Sequence, residues 1–365
     1  MILNDYKIDY LPFTLPNQEP IRITADQDEE KLTSINVFYG YTHKGIEKIL
    51  TTTPYNDVYF YMERLNNFDR ASILYNYILL YETAATIQVD ETIDILRLII
   101  LEMSRIRCHL KSLNEIARLL DIQEMIKITS AMLKETYGIM DTGDAPIITV
   151  GNINVKFKDD GFPQYLTSFL KTVFRKAIKS LGNIFKNNAL LKKRLEGMGV
   201  LTADDARNYG ISGINLRACG VKYDTRVQNP YGAYSVISPF IPTGTDGDAY
   251  TRYRLRLEEI FTSYLLINNA ANKIKQSSVK TILSAETNNI AIPPPGLYET
   301  ATETPFGELR IHMRTSDKYT PDRIKISSPS LNALIAFKKA AAAHFVSDIP
   351  VILNSFNIAF SEIDK

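Results

Sequence analysis

The sequence predicts a mainly α protein with flanking β elements, an α+β fold whose central helical bundle lies between small β pieces near both ends. Two observations carry this. Apolar residues recur at helical spacing through 54–137 and again through 248–274, as in helices with a buried face. Alternating stretches lie mainly in 1–40 and 296–328, bounded by turn-forming residues. No internal repeat at a fixed period accompanies them.

Taken in order, "EPIRITAD" and "TSINVFYG" read as the strands of a hairpin joined by the charged turn "DQDEEK". Residues 45–52 read as a short helix. "PYNDVYFYMERLNNFDRASILYNYILLYETAATI" follows with Leu65, Phe68, Ile73, Leu74, Tyr77 and Ile78 at helical spacing. Asp90–Ile122 predicts a helix of about nine turns. It is apolar round much of its girth, which places it at the centre of a bundle. A third helix covers Gln123–Tyr137. "GIMDTGDAPIITVGNINVKFKDDGFP" breaks the pattern with Gly, Asp, Pro and β-like pieces. Two helices flank "KNNALLKK". The glycine-punctuated stretch after Gly197 is irregular, with Thr202 as an N-cap and Gly210 as a stop signal. A long helix spans Asp248 to Ile274, and "SSVKTILSAETNNIAIPPPG" is a loop. The last part reads as strands "GLYETATET", "GELRIHMRT" and "RIKISS", then the helix "SLNALIAFKKAAAAHFV" and a tail. The expected division is an N-terminal β region (1–45), a helical body (46–290) with an irregular insert near 200–247, and a C-terminal α+β region (291–365).

Composition narrows the function. The 365 residues are 45% apolar and 23% charged, ordinary for a folded soluble chain. A formal net charge of +1 gives no global field toward nucleic acid or anionic membranes. The short basic stretch "NNALLKKRLEG" reads as a solvated helix face, so no nucleic-acid partner is expected. Two cysteines, Cys108 and Cys219, form no CxxC pair, which excludes thiolate zinc and cysteine-held iron–sulfur sites within this chain. "MILNDYKIDYLPF" lacks the basic flank and apolar core of a signal peptide, and no stretch reaches the ~18 apolar residues of a spanning helix. The expectation is a soluble or peripheral protein.

Familiar motifs do not account for the chemistry. The four histidines are scattered with no i, i+4 pair, and the glycine-containing turns "GVKYDTRVQNPYG" and "GTDGD" are neither a P-loop nor a dinucleotide fingerprint. No GxSxG elbow is present. What remains is a set of polar residues at the edges of apolar helices: Glu47, Tyr61, Glu63, Arg64, Asn66, Asp69 and Arg105. A solvated face explains any one of them alone. A dry pocket would instead force each to pair, hydrogen-bond or shift its pKa.

The order of several separated stretches carries a resemblance. "GYTHKGIEK" resembles the "G-x-x-H-R-G-x-E-K" stretch of two related families: the catalytic large subunit (the quinone-reducing D chain) of respiratory complex I, and the large subunit of membrane-bound [NiFe] hydrogenases. "YMERLNNFDRA" falls where hydrogenases carry "E-R-x-C-G-x-C" and complex I carries "Y-V-S-x-x-x-N-E". "EMSRIRCHL", "GVLTADDARNYGISGINLRACGVKYDTRVQNPYGAY", "PTGTDGDAYTRYRLRLEEI", "ETPFGELRIHM", "RIKISSPS" and "FNIAFSEIDK" are similar to later family segments in the same order. The expected fold is therefore a hydrogenase-large-subunit-like bundle. At the four positions where hydrogenases place metal-binding thiolates this chain has Asn66, Asp69, Ala359 and Glu362. No [NiFe] centre is expected, since these side chains supply no bridging sulfur.

The resemblance implies a peripheral-arm subunit of a membrane-bound, ion-translocating NADH:quinone oxidoreductase-like complex. Tyr61 matches the tyrosine that donates a hydrogen bond to a quinone carbonyl. Glu47 matches a proton-relaying glutamate, and Asp69 and Asp57 are further proton carriers. Asn66, Asp57, Ala359 and Glu362 are expected around the quinone-headgroup cavity, with His43, Lys44 and Arg105 near a cluster held by a partner. No cofactor is expected in this chain: quinone is the substrate, and the 4Fe–4S cluster sits in a B-like iron–sulfur small subunit. The other implied partners are a C-like protein and an H-like polytopic membrane subunit, with NAD reached only through other subunits. The implied location is the cytoplasmic side of a prokaryotic membrane or the mitochondrial matrix side. Departures from the family pattern are local. "LPFTLPNQEPIRI" replaces the "H-P-x-x-H-G" hairpin, the family aspartate falls near Leu119 with Asp121 two residues away, and Lys44 stands for an arginine. The alternative is a hydrogenase-related chain without [NiFe], serving as a scaffold or as reductase of another acceptor.

Overall fold

The computed structural model describes residues 8–10, 19–28, 30–140, 147–154, 174–274 and 291–365. A three-stranded antiparallel sheet opens the chain: β1 (Ile8–Tyr10), β2 (Arg22–Asp28) and β3 (Lys31–Phe38), in that order. β2 and β3 form the expected hairpin, with Arg22 opposite Phe38. Along β3 alternation points Ile35 and Val37 inward, and the register shift opposite Asp26 and Gln27 brings Leu32 to the same face.

After the short helix α1 (Ile46–Leu50), a single helical pattern resolves into pieces. They are a 3-10 turn at Tyr55–Asp57, α2 (Val58–Met62) and α3 (Arg70–Ala84). The break has a side-chain cause. Asn66 Oδ1 accepts the N–H groups of Phe68 (2.7 Å) and Asp69 (3.1 Å), and Asp69 then caps α3 through the Ser72 N–H. Asn and Asp here bond the backbone in place of the helix ladder.

α4 (Glu91–Leu119) is the 29-residue central helix, capped by Asp90. It stops three residues short of the sequence reading because Asp121 adopts a left-handed conformation (φ 53°). α5 (Gln123–Met140) follows, then the small hairpin of β4 (Ile147–Thr149) and β5 (Asn152–Asn154). α6 (Arg175–Asn187) and α7 (Ala189–Leu195) flank Asn188, and α8 (Ala203–Asn208) has the capping box begun by Thr202. α9 (Gly213–Ala218), α10 (Thr225–Gln228) and a 3-10 turn at Gly232–Ser235 occupy the irregular insert. α11 (Ala249–Lys273) is the second long helix, capped by Asp248. The predicted proline-containing loop lies mostly outside the described residues. α4 packs on α5, α5 on α6, α6 on α11 and α11 back on α4, closing a four-helix ring.

The C-terminal part is the antiparallel sheet β6 (Gly296–Thr304), β7 (Gly307–Thr315), β8 (Arg323–Ser327). α12 (Pro329–Ala341), α13 (Ile349–Phe356) and α14 (Phe360–Ile363) complete it. One apolar core joins the bundle to β7 and β8 through Leu309, Ile311 and Ile326. A second joins the opening sheet to α12 and α13, through Ile23, Val37, Phe337 and Ile352. The N-terminal strands and the C-terminal helices thus share an interior.

Candidate functional site

The C-terminal helices also meet the bundle at a separate small cluster around Cys108, Phe306 and Ala359, and there the four singled-out positions come to one place. Asn66 Nδ2 donates to Glu362 Oε1 at 2.5 Å, across 296 residues of chain. The other carboxylate oxygen, Oε2, accepts from Ser328 Oγ (2.7 Å) and Ser330 Oγ (3.1 Å). Glu362 is fully buried, and that burial pushes its carboxyl up to about 7 against the three hydrogen bonds. Asp69 beside it is equally buried. Its Oδ1 accepts from Ser72 N–H (3.2 Å) and Ser104 Oγ (2.7 Å), while Oδ2 has no partner among the described residues. Ala359 packs with Cys108 and Phe306 and donates its N–H to Ser330 Oγ at 3.2 Å. Burial also raises the Cys108 thiol far above its ordinary value, so it stays protonated.

Asn66 and Glu362 meet directly across the space that the sequence reading assigns to a chamber. Asn66 and Glu362 are long polar side chains whose buried atoms must be satisfied, and they satisfy each other. An adjoining pocket, walled in part by Phe68, Cys108, Phe306 and Phe360, has a volume of ≈ 30 Å³. That is room for a water, far below the ~300–1,000 Å³ of small-molecule sites.

Tyr61 stands outside this closed cluster. It lies on α2, half-buried, with a hydroxyl that makes no hydrogen bond among the described residues. Asp57, in the 3-10 turn before α2, is exposed. Glu47 is held rather than free: it accepts the Ile326 N–H (3.0 Å) and faces Lys325 (3.3 Å) and Lys365 (3.8 Å). His43 and Lys44 are exposed on the loop before α1. His43 Nδ1 meets the Asp364 carbonyl (2.8 Å), and Lys44 Nζ donates to the Arg64 carbonyl (3.0 Å). The Asp364 carboxylate accepts from Gly40 N–H, Thr42 N–H and Thr42 Oγ1 at 2.7, 2.9 and 2.6 Å, fastening the loop to the last turn of the fold.

Arg105 is not brought to that loop. It is buried in an ion network between α4, α11 and the insert. Arg217 contacts Glu303 (2.9 Å), Asp224 (3.2 Å) and Glu259. Arg226 grips Asp224 with two bonds (2.7 and 3.0 Å) and reaches Glu102 (3.1 Å). Arg105 donates to the Glu303 carbonyl (2.6 Å) and lies 3.4 Å from Glu102. His109 Nε2 meets Glu259 Oε2 at 2.8 Å. Burial lowers His109 to about 4, so it is neutral and Nε2 carries the proton. Burial would raise Glu259, but Arg217 and His109 hold it well below its usual range.

Sequence reasoning singled out neither Ser328 and Ser330, Asp364, nor the partners of Arg105. Ser328 was detectable as the residue before Pro329 at a helix start. The long-range pairs had no local signal: Arg226 and Glu102 lie 124 residues apart, and His109 and Glu259 lie 150 apart. Among the described residues no group of three or more His, Cys, Asp or Glu side chains is placed to hold a metal ion.

A helical ring whose two chain ends close on each other at these four sulfur-free positions defines the class: the large subunits shared by complex I and the hydrogenases. Residues 145–365 match the model of the respiratory-chain NADH dehydrogenase 49 kDa subunit. The chain belongs to that family. It is 27% identical to the D chain of NADH-quinone oxidoreductase from Helicobacter hepaticus, over 94% of this chain and 91% of that one. The first of the D chains of the same oxidoreductase from Chloroherpeton thalassium is 29% identical over 94% of this chain and 84% of its own. The D chain from Ruthia magnifica is 26% identical over 100% and 99%.

Proposed function

We propose that this chain is a peripheral-arm component of a complex I-like NADH:quinone oxidoreductase and forms one wall of its quinone-reduction site. The observation that carries the finer reading is the pairing of Asn66 with Glu362 in place of thiolates, in a chain whose α2 holds a half-buried tyrosine, Tyr61. Quinone reduction takes two electrons and two protons. In this reading electrons come from an iron–sulfur cluster held by a B-like partner. The headgroup is met on the open side of α2, between this chain and that partner, where Tyr61 donates to a quinone carbonyl. A phenol is suited to this, a neutral donor on an apolar wall. Buried Glu362, bonded to Asn66, is the proton store, and Glu47 with its two lysines sets the charge at the site's edge.

Among the described residues no helix is long and apolar enough to cross a membrane. Attachment in this proposal runs through partners: an H-like polytopic membrane protein, with a C-like protein alongside. A scaffold without quinone chemistry is disfavoured, because the relatives are named as NADH-quinone oxidoreductase subunits. Tyr61→Phe in the assembled complex tests the site. Losing a donor to a developing oxyanion lowers quinone turnover at least about tenfold. Unchanged turnover removes Tyr61 from the chemistry.

A further inference from the structure

α4 presents Cys108, Lys111 and Glu115 along one face, at spacings of about one helical turn. These three, with Glu19 from the segment before β2, line the ≈ 30 Å³ pocket next to the Asn66–Glu362 contact. Its contents are unusual for an apolar crevice. Glu19 is 8% exposed; its Oε2 accepts the Ser361 N–H at 2.7 Å, and its Oε1 has no partner. Lys111 Nζ lies 3.1 Å from the centre of the Phe68 ring and 3.7 Å from Glu115 Oε1. Glu115 Oε2 is 3.5 Å from Asn354 Nδ2. A buried carboxylate oxygen without a donor is costly, and a water satisfies it wherever about 10–15 Å³ is free.

We propose that this pocket is a hydrated proton-transfer site, through which water held by Glu115, Lys111 and Glu19 passes protons inward to Glu362. Exposure falls along the line, from 20% and 11% at the Lys111 and Glu115 side chains to none at Glu362. Glu19 is bonded to the residue adjoining Glu362. Each hop breaks one O–H bond and forms another, with no electron moving. The acid form of Glu115 protonates the pocket water while that water gives a proton to the Glu19 carboxylate, and Glu19 passes its proton on toward Glu362. Lys111 lies against Phe68 beside both carboxyl groups; burial lowers its ammonium from the ordinary value, and Glu115 and Glu19 oppose that shift. The other charged groups facing the route are Arg256 of α11 beside Glu115, and Asp69 and Lys365 beside Glu362. Burial raises both Glu19 and Glu115, the latter to about 7, so each can hold a proton near neutrality.

Delivery from Glu362 to a quinone rests on the function proposed above; the route itself does not. The test uses the assembled complex at rest, without turnover. The infrared carboxyl band that disappears in Glu362→Gln is followed after transfer to D2O, and its downshift times proton exchange at Glu362. In both Glu19→Gln and Glu115→Gln, which keep side-chain volume, exchange slows at least about tenfold. Exchange at the wild-type rate in either variant overturns the route. It leaves the quinone reading to be judged by Tyr61→Phe.

Discussion

Glu362→Gln gives the sharpest quantitative test of the buried cluster. In the folded chain the Glu362 carboxyl titrates at about 7, against an ordinary value of 4.5, chiefly because burial disfavours the charge. Between those values the folded chain keeps this proton and the unfolded chain has released it. Stability therefore falls as pH rises, by about 1.4 kcal/mol per unit, for a total of about 3 kcal/mol once pH exceeds 7. Glutamine has the same shape and no proton to lose. Its carbonyl oxygen still accepts from Asn66, and its amide donates to a serine hydroxyl. The variant minus wild-type stability, from urea unfolding of the full chain between about pH 4 and about pH 8, starts near zero and climbs toward about 3 kcal/mol, less whatever the rearranged serine bonds cost. Glu115, also raised to about 7, and His109, lowered to about 4 with the opposite sign, titrate in the same range but are common to both proteins and cancel in the difference. A difference that stays flat across this range would refute the claim that Glu362 is held neutral by burial.

Arg217→Met takes the buried ion-pair partner from Glu303 and one partner each from Asp224 and Glu259, and the expected loss is about 3–5 kcal/mol by chemical denaturation. Thr202→Ala removes the capping box of α8 and costs about 1 kcal/mol in the same assay. Gly247→Ala costs more than about 1 kcal/mol: the backbone there is left-handed (φ 65°), and a Cβ would fall onto the Leu201 carbonyl oxygen.

The parts of this fold that were legible in the sequence are those written locally. Asp90 and Asp248 each cap a long helix through a neighbouring N–H, so α4 and α11 begin where the sequence places them. The alternation of β3 and β7 likewise needs no knowledge of a partner strand. Asn66 hides a break in what reads as one helix through 54–87, because a residue that turns the chain with its side chain looks, in sequence, like any polar helical position. Asn66 and Asp69 are legible as polar residues at helix edges, and the resemblance alone sets them alongside Ala359 and Glu362. What those residues do with the vacated volume was not legible. Whether two side chains leave a void or hydrogen-bond across it depends on backbone positions set by β8, α12 and α14 together. Glu19 carries no local signal, because its meaning comes from Lys111 and Glu115, on a helix far along the chain.

The bond between Asn66 and Glu362 also governs when the protein matures. At ribosomal speeds of about 5–20 residues per second, 296 intervening residues take roughly 15–60 s to synthesise. For that interval the turn at Asn66 has emerged without its counterpart, and contacts of such separation form slowly even afterwards. A nascent chain therefore cannot close the cluster early, and an unfinished one never closes it. Any assembly partner that reads the joined surface of α14 and the Gly40–Lys44 loop would discriminate chains in which α14 has been made from those in which it has not.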